Sequence, residues 1–161
     1  MAWKREAAVA KQRDKIRMSD AEITAFLDDC KSLHVATLDK DGAPHLTTLW
    51  FAVQDGKILF ETYAVSQKVM NLRRDPRLAV LCEQGTTYDQ LRGVSIKGMA
   101  QIVESGPECN TLMKAIVMRN NPGLPANVLA QHVTEMTRKR IVVVVHPEKV
   151  ISWDHRKLAQ A

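Results

Sequence analysis

The sequence PHLTTLWFAVQDGKILFETYAVSQKVMNLRRDPR, residues 44–77, is typical of a strand, a tight turn, a second strand and the start of a helix. Asp55-Gly56 is a two-residue hairpin signal, because glycine accepts a positive φ and the flanking segments are rich in β-branched and aromatic residues. We therefore predict two antiparallel strands, Leu46 to Val53 and Lys57 to Tyr63. The first is apolar on both faces, which predicts cover by the core alone, or by the core and a partner or ligand.

A helix is predicted to follow the second strand. Ser66 is well placed to cap it, Lys68 lies in its first turn, and Asp75-Pro76 ends it. Free backbone N–H groups, the positive end of the helix dipole, a hydroxyl and an ammonium group converge at this helix start, as an anion or phosphate site requires. An ordinary capped helix with a solvated lysine is the alternative, and the local sequence leaves both open.

The segment FETYAVSQKVMNLRRDPRLAVL, residues 60–81, resembles the split β-barrel flavin-binding proteins typified by pyridoxamine 5′-phosphate oxidase, and the likeness spans roughly residues 19–155. The resemblance implies that a flavin phosphate is held at the positions of Thr62, Ser66 and Lys68, with Gln67 between the last two. It also implies that the ring system lies along the backbone of four consecutive residues, Thr47, Thr48, Leu49 and Trp50.

Three segments, WFAVQDGKILF, NLRRDPR and SWDHRKL, are most similar to the deazaflavin-dependent branch of that family, which uses reduced coenzyme F-420. The chain departs from the pyridoxamine-phosphate oxidases at Leu46, where they have a phosphate-binding arginine, and at Gln67, which replaces another arginine. Both departures argue against FMN and against the pyridoxamine reaction. The resemblance therefore implies an F-420-dependent oxidoreductase that transfers a hydride to an unsaturated small organic substrate, with an FMN-dependent oxidase or reductase, or a non-catalytic flavin-binding protein, as alternatives.

Two further residues are candidates for cofactor binding. Arg92 precedes a predicted strand and could add a second cation near the cofactor tail, while Trp153, with Arg156, follows a pattern that the family shows near the cofactor. No pair of carboxylates, no Ser/His/Asp order and no metal-ligand spacing stands out, so we predict no catalytic side chain and no metal site. The cofactor would carry the reaction, and the protein would hold the ring and exclude water.

Proton donors or substrate contacts are harder to choose. The candidates are Tyr63, Tyr88, His34, His45 and His132, and for the three histidines a structural role is the alternative.

The composition suits one globular domain: 161 residues, 45% hydrophobic and 25% charged. A net charge of +5 favours an anionic ligand, whereas an aromatic content of 5% argues against a nucleic-acid partner. Three scattered cysteines fit buried thiols in a reducing cytoplasm, and no signal peptide or membrane anchor is recognisable.

Two regions are distinguished, a helical extension over residues 1–18 and a barrel domain over residues 19–161. The extension carries cations that either line an entrance for an acidic cofactor tail or form a solvated helix face, Lys4, Arg5, Lys11, Arg13, Lys15 and Arg17.

The remaining pattern predicts a mainly β fold with flanking helices. A meander of five antiparallel strands with short turns predicts a small closed or partly closed barrel, which the resemblance makes a split β-barrel of Greek-key type. Helical spacing from Pro107 to Met136 predicts two helices beside the barrel, followed by strands at Ile141 to Val145 and Val150 to Asp154. We expect a homodimer, because the doubly apolar strand needs cover on its second face and the family binds its cofactor at a subunit seam.

Overall fold

The computed structural model describes residues 13–160, so that most of the predicted N-terminal extension lies outside the described residues; residues 13–16 are helical. The strands of the described part are β1 Leu33–Leu38, β2 Pro44–Leu49, β3 Phe51–Gln54, β4 Lys57–Tyr63, β5 Arg77–Gln84, β6 Arg92–Val103 and β7 Arg140–Asp154. The helices are α1 Asp20–Asp29, α2 Gln67–Arg74, α3 Pro107–Asn120 and α4 Ala126–Met136, with short 3₁₀ helices at Tyr88–Gln90 and His155–Gln160.

The strands form one antiparallel sheet in the order β2-β1-β5-β6-β7-β4-β3. β2 and β3 are the two edges of this sheet, yet a single residue, Trp50, separates them along the chain. The sheet must therefore curl until its edges almost meet. This half-barrel with flanking helices confirms the predicted split β-barrel, and its seven strands equal in number the five of the predicted meander and the two predicted near the C-terminus.

Two boundaries differ from the sequence prediction. The strand expected over Leu46 to Val53 is broken at Trp50, because the chain there leaves one edge of the sheet and joins the other. The two strands expected near the C-terminus are parts of one long strand, β7, which pairs with β4 and β6. Its register with β6 shifts once, between Lys97 and Gly98, where a side chain on the glycine would overlap the His146 carbonyl.

Apolar side chains pack on both faces of the curled sheet. The inner face, with residues such as Val35, Phe51 and Phe60, forms the barrel core with α1 and α2, and the outer face packs on α3 and α4 through residues such as Leu59 and Met113. A capping box formed by Ser19 and Glu22 starts α1. All three cysteines are free and buried, as expected.

The guanidinium of one arginine connects α3, β3 and the end of α1 by hydrogen bonds. Arg119, near the end of α3, donates to the Phe51 carbonyl at 2.9 Å and stacks on the Phe51 ring with a distance of 4.2 Å to its centroid. It also binds three carbonyls that the end of α1 leaves free, those of Leu27, Asp28 and Cys30. A helix C-terminus and the first residue of β3 are thus held by the same side chain.

Candidate functional site

The start of α2 brings together three residues of the sequence prediction, Thr62, Ser66 and Lys68, which we call the hydroxyl–lysine cluster. Lys68 Nζ lies 3.1 Å from Thr62 Oγ1, and the Thr62 and Ser66 hydroxyl oxygens are 3.2 Å apart. Thr62 is buried, and the Lys68 residue is only 8% exposed. The alternative of a solvated lysine in an ordinary first turn is therefore wrong for this residue.

The geometry follows from the short connection between β4 and α2. The Ala64 N–H donates to the Lys139 carbonyl and the Ser66 N–H to the Tyr63 carbonyl, so the chain turns tightly after the strand. Ser66 is the N-cap residue, as predicted, but its side chain makes no capping hydrogen bond because its hydroxyl pairs with Thr62. The first backbone N–H groups of α2 therefore lack a side-chain acceptor, and the positive end of the helix dipole is left available.

Lys68 is held in an electrostatically demanding position. Burial lowers the pKa of its ammonium group from the ordinary value, and the Glu61 carboxylate partly opposes this by raising the pKa. Among the residues that the structure describes, Thr62 is its one hydrogen-bond partner. An ammonium group has three donors, so an anion would supply partners that the protein does not.

The predicted ring-binding strip, Thr47 to Trp50, forms the end of the edge strand β2 and the residue after it. Within residues 13–160, β2 pairs with β1 alone, which leaves backbone groups on its other edge for a ligand. The Thr48 hydroxyl is 3.1 Å from His34 Nδ1, whereas the buried Thr47 hydroxyl and His45 Nδ1 have no hydrogen-bond partner in the described part of the chain. Leu49 is half-buried, and Trp50 is 59% exposed.

Gln67, the remaining prediction in this region, is turned along its own helix. Its amide nitrogen donates to Asn71 Oδ1 at 2.9 Å, one helical turn away. The structure therefore places the Gln67 side chain against Asn71 and outside the hydroxyl–lysine cluster.

Arg92 is the exception among the predicted cations. Its guanidinium binds Asp29 at 3.2 Å and Gln84 at 2.5 Å and lies over the Phe26 ring. It is the first residue of β6 and pairs with Asp154 at the end of β7, whereas Thr62 of the cluster pairs with Ile141 near the start of β7. Arg92 is thus engaged by residues of its own chain, and the expectation of a second cation beside the cofactor tail stays a prediction.

Trp153 lies at the same distant end of the sheet, paired with Gly93. Its ring packs over this glycine so closely that a Cβ there would overlap it. Trp153 also lines an open cleft of about 740 Å³ between β7 and the N-terminal residues that the structure describes, including Arg13 and Arg17. The remaining cations of the N-terminal prediction, apart from Lys15, lie outside the described residues.

A smaller pocket of about 230 Å³ opens beside Trp50, on the helical side of β4. Its floor is formed by Ile116 and Val117, and its rim includes Glu61 and Arg140. Arg140 binds Glu61 at 2.6 Å through one nitrogen. Its guanidinium also stacks 4.1 Å from the centroid of an aromatic ring, that of Tyr63.

Sequence reasoning missed this ion pair. The two residues stand on neighbouring strands far apart in the chain, and the pairing of Tyr63 with Arg140 appears only once β4 and β7 are side by side. No spacing in the sequence signals it.

Comparison with protein-family models assigns the chain to a family. The family model described as pyridoxamine 5′-phosphate oxidase matches residues 19–154. The chain belongs to the pyridoxamine 5′-phosphate oxidase family. None of the curated proteins compared with the chain matches it.

Solved structures with this family's split-barrel fold agree. A conserved hypothetical protein from Mycobacterium tuberculosis, Rv2991, is 43% identical with a TM-score of 0.85, and the match covers 90% of each chain. A protein named F-420 reductase is 23% identical with a TM-score of 0.60, over 78% of this chain and 93% of that one. An FAD-binding protein from Mesorhizobium loti is 18% identical with a TM-score of 0.62, over 84% and 91%. The last two likenesses show the fold alone.

The residues of this family member fit a planar cofactor with an anionic tail. The hydroxyl–lysine cluster offers hydroxyls and an ammonium group to the anion, and the unpartnered Thr47 hydroxyl and the free edge of β2 offer polar groups to a ring. Leu46 is 66% exposed and supplies no cation. Among residues 13–160, no cluster of His, Cys, Asp or Glu is arranged to hold a metal ion, and no helix is long and apolar enough to cross a membrane.

Proposed function

We propose that the protein is an oxidoreductase that uses reduced coenzyme F-420 to transfer a hydride to an unsaturated small organic molecule. The observation that carries the proposal is the buried Lys68 ammonium, which has one hydrogen-bond partner among residues 13–160 and lies beside two hydroxyls at the start of α2. Burying a charge with so few partners costs free energy, and a bound anion offsets that cost.

The chain's own residues bind and orient. Lys68, Thr62 and Ser66 hold the anionic part of the cofactor, and the backbone from Thr47 to Trp50 supports the ring. When bound, the reduced deazaflavin supplies the hydride, so the protein needs no nucleophilic side chain. Trp50 and the curled sheet would limit the access of water to the ring.

F-420 is preferred to FMN because of what stands at two positions. Leu46 and Gln67 replace the arginines with which the resemblance associates a flavin phosphate, and the structure turns the Gln67 side chain toward Asn71. The structural neighbour named F-420 reductase is compatible with this choice but supports only the fold. An FMN-dependent activity is the second candidate, because the hydroxyl–lysine cluster also suits a terminal phosphate.

The pocket beside Trp50 is the proposed substrate site. Its volume of about 230 Å³ is larger than the roughly 150 Å³ in which an engineered protein cavity holds benzene, so a substituted single ring would fit. The exposed indole would stack on such a ring, and the Arg140 donors that Glu61 does not use would meet a carbonyl or carboxylate oxygen.

We also propose a cytoplasmic homodimer. Large apolar side chains are exposed around the start of α2 and along β2, and a second copy of the chain would cover them: Leu46, Trp50, Val65 and Met70. Sedimentation decides this point, since a monomer at micromolar concentration with intact cofactor affinity contradicts it.

Equilibrium titration of cofactor-free protein with F-420 and with FMN tests the central proposal. We expect saturable one-to-one binding of F-420, with FMN weaker. Reduced F-420 should then be oxidised by the holoprotein when single-ring unsaturated carbonyl compounds are added. Stoichiometric FMN in the purified protein together with no measurable F-420 affinity would establish the second candidate instead.

A further inference from the structure

Asn71 is a polar side chain that the structure buries completely, with 0% of the residue exposed. Its amide nitrogen donates to Thr37 Oγ1 at 3.1 Å and to Asp39 Oδ1 at 2.8 Å. Its amide oxygen accepts from Gln67 Nε2 at 2.9 Å and from an Arg74 guanidinium nitrogen at 3.3 Å. Both donors and both acceptor positions of the amide are thus used, which is the condition for burying it without a penalty.

The partners of Asn71 belong to different parts of the proposed site. Thr37 lies on β1, and Asp39 lies in the turn that joins β1 to β2. β1 pairs with β2 along its whole length, from Leu33 opposite Leu49 to Leu38 opposite Pro44. Asn71 therefore connects the helix that carries Lys68 to the hairpin that carries the ring-binding strip.

No other buried polar side chain that the structure describes makes this connection directly. Arg74 reaches the same hairpin, but only through the Leu38 carbonyl at the protein surface. The inner face of α2 otherwise contacts the core through Val69 and Leu72, and apolar packing alone tolerates small shifts of a helix along a sheet. Hydrogen bonds to fixed strand atoms specify one position.

We infer that Asn71 is the positioning residue that sets the distance between the hydroxyl–lysine cluster and the ring-binding strip. This inference rests on the proposed function only in taking the ligand to be a ring joined to an anionic tail. A ligand that spans both parts needs them at one spacing, because a displacement of about 1 Å weakens contacts at one end or the other. A ligand that occupies the ring-binding strip alone does not depend on the distance between the strip and the cluster.

Paired ligands that differ only in the tail give the test. F-420 is compared with its deazaflavin chromophore lacking the phosphodiester tail, and FMN is compared with riboflavin. The dissociation constant of the tail-less ligand divided by that of the tailed ligand measures what the tail contributes to binding. We expect Asn71→Ala to lower this ratio about three- to tenfold, as the partial loss of one charge-assisted contact would, while the affinity for the tail-less ligand stays the same.

The controls separate positioning from stability. All titrations are made well below the melting temperature of each variant. Arg73→Gln, on the same helix, removes an exposed bond to Glu104 away from β1 and should leave the ratio unchanged. Thr37→Val removes one hydrogen bond of Asn71 with little change of shape and should also lower the ratio. It replaces Asn71→Ala as the test variant if the Asn71→Ala protein does not fold. Asn71→Asp combined with Asp39→Asn restores a donor and an acceptor in exchanged places and should recover part of the ratio.

Two outcomes in the variants overturn the inference: an unchanged ratio in both Asn71→Ala and Thr37→Val, or an equal loss of affinity for tailed and tail-less ligands, which marks a merely structural residue. A wild-type protein that binds FMN and not F-420 refutes the proposed cofactor, and the FMN–riboflavin pair then decides the role of Asn71. If neither pair shows a tail preference in the wild type, the cluster binds no anion and the inference fails with it.

Discussion

Replacing Lys68 by methionine separates a binding lysine from a structural one. Methionine keeps an unbranched side chain of similar length and removes the ammonium group. A hydrogen bond between a charged group and its partner contributes about 1.5–3 kcal/mol, so the loss of one such bond to a cofactor anion should raise the dissociation constant about ten- to a hundredfold. The burial of Lys68 favours the upper part of this range, because solvent screens the contact little.

The same substitution should leave the fold intact or stabilise it. The ammonium group is buried with one hydrogen bond to the part of the chain that the structure describes, so its removal relieves a desolvation cost. The Thr62 hydroxyl, its partner, keeps the Ser66 hydroxyl at 3.2 Å and is not left unpaired. Affinity should therefore fall while the free energy of unfolding stays the same or rises, which a lysine with a purely structural role would not produce.

The assay is fluorescence or absorbance titration with F-420 and FMN, beside urea denaturation of the cofactor-free protein. Lys114→Met, at an exposed position on α3, is the matched control and should change neither quantity. Unchanged affinity in a folded Lys68→Met protein would refute the reasoning. So would a loss of stability large enough to account for weaker binding.

Three further predictions concern the scaffold and the pH dependence. Arg119→Met should lower the free energy of unfolding by about 2–4 kcal/mol in urea, because four carbonyls lose a charged donor, and Arg119→Lys should lie between it and the wild type. Gly93→Ala should cost about 1–3 kcal/mol and shift the tryptophan emission, because the new methyl group displaces the Trp153 ring; unchanged emission would contradict that packing. Burial lowers the pKa of Lys68 in the folded protein below its ordinary value of 10.5, so at a pH between the folded and the unfolded pKa the unfolded chain holds more protons. As pH rises through this window, the stability of the wild type should increase relative to Lys68→Met, while its affinity for an anion falls. Parallel curves of stability against pH for the two proteins would contradict the burial of the ammonium group.

Much of the fold follows from local signals. Asp55 and Gly56 both adopt positive φ in the hairpin turn, as the pair predicts, and a Ser-x-x-Glu sequence at residues 19–22 forms the capping box that starts α1. The break at Trp50 was not predictable in this way, because the apolar pattern continues unchanged through it. The break results from the strand order of the whole sheet, in which β2 and β3 become opposite edges.

In the site, too, local sequence signals predict some contacts, whereas others depend on the whole fold. Thr62, Ser66 and Lys68 lie within seven consecutive residues, so a strand end followed by a helix start was enough to predict that they meet. The pairing of Glu61 with Arg140 and the contact of Asn71 with Thr37 join residues far apart in the sequence, and they depend on strand order and helix docking. The partners of Arg92, which are Asp29 and Gln84, are likewise brought to it by helix docking and strand pairing.

The opening of the barrel explains why both halves of the site lie together. An edge strand exposes unpaired N–H and C=O groups, which proteins usually cover or protect. Because Trp50 alone joins β2 to β3, the free edge of β2 must end beside the first residue of β3, Phe51, which pairs with Phe60. Thr62 is two residues further along β4. The curl that leaves the strip unpaired therefore also brings it to the hydroxyl–lysine cluster, and a barrel closed by hydrogen bonds between β2 and β3 would use the backbone groups that a cofactor ring needs.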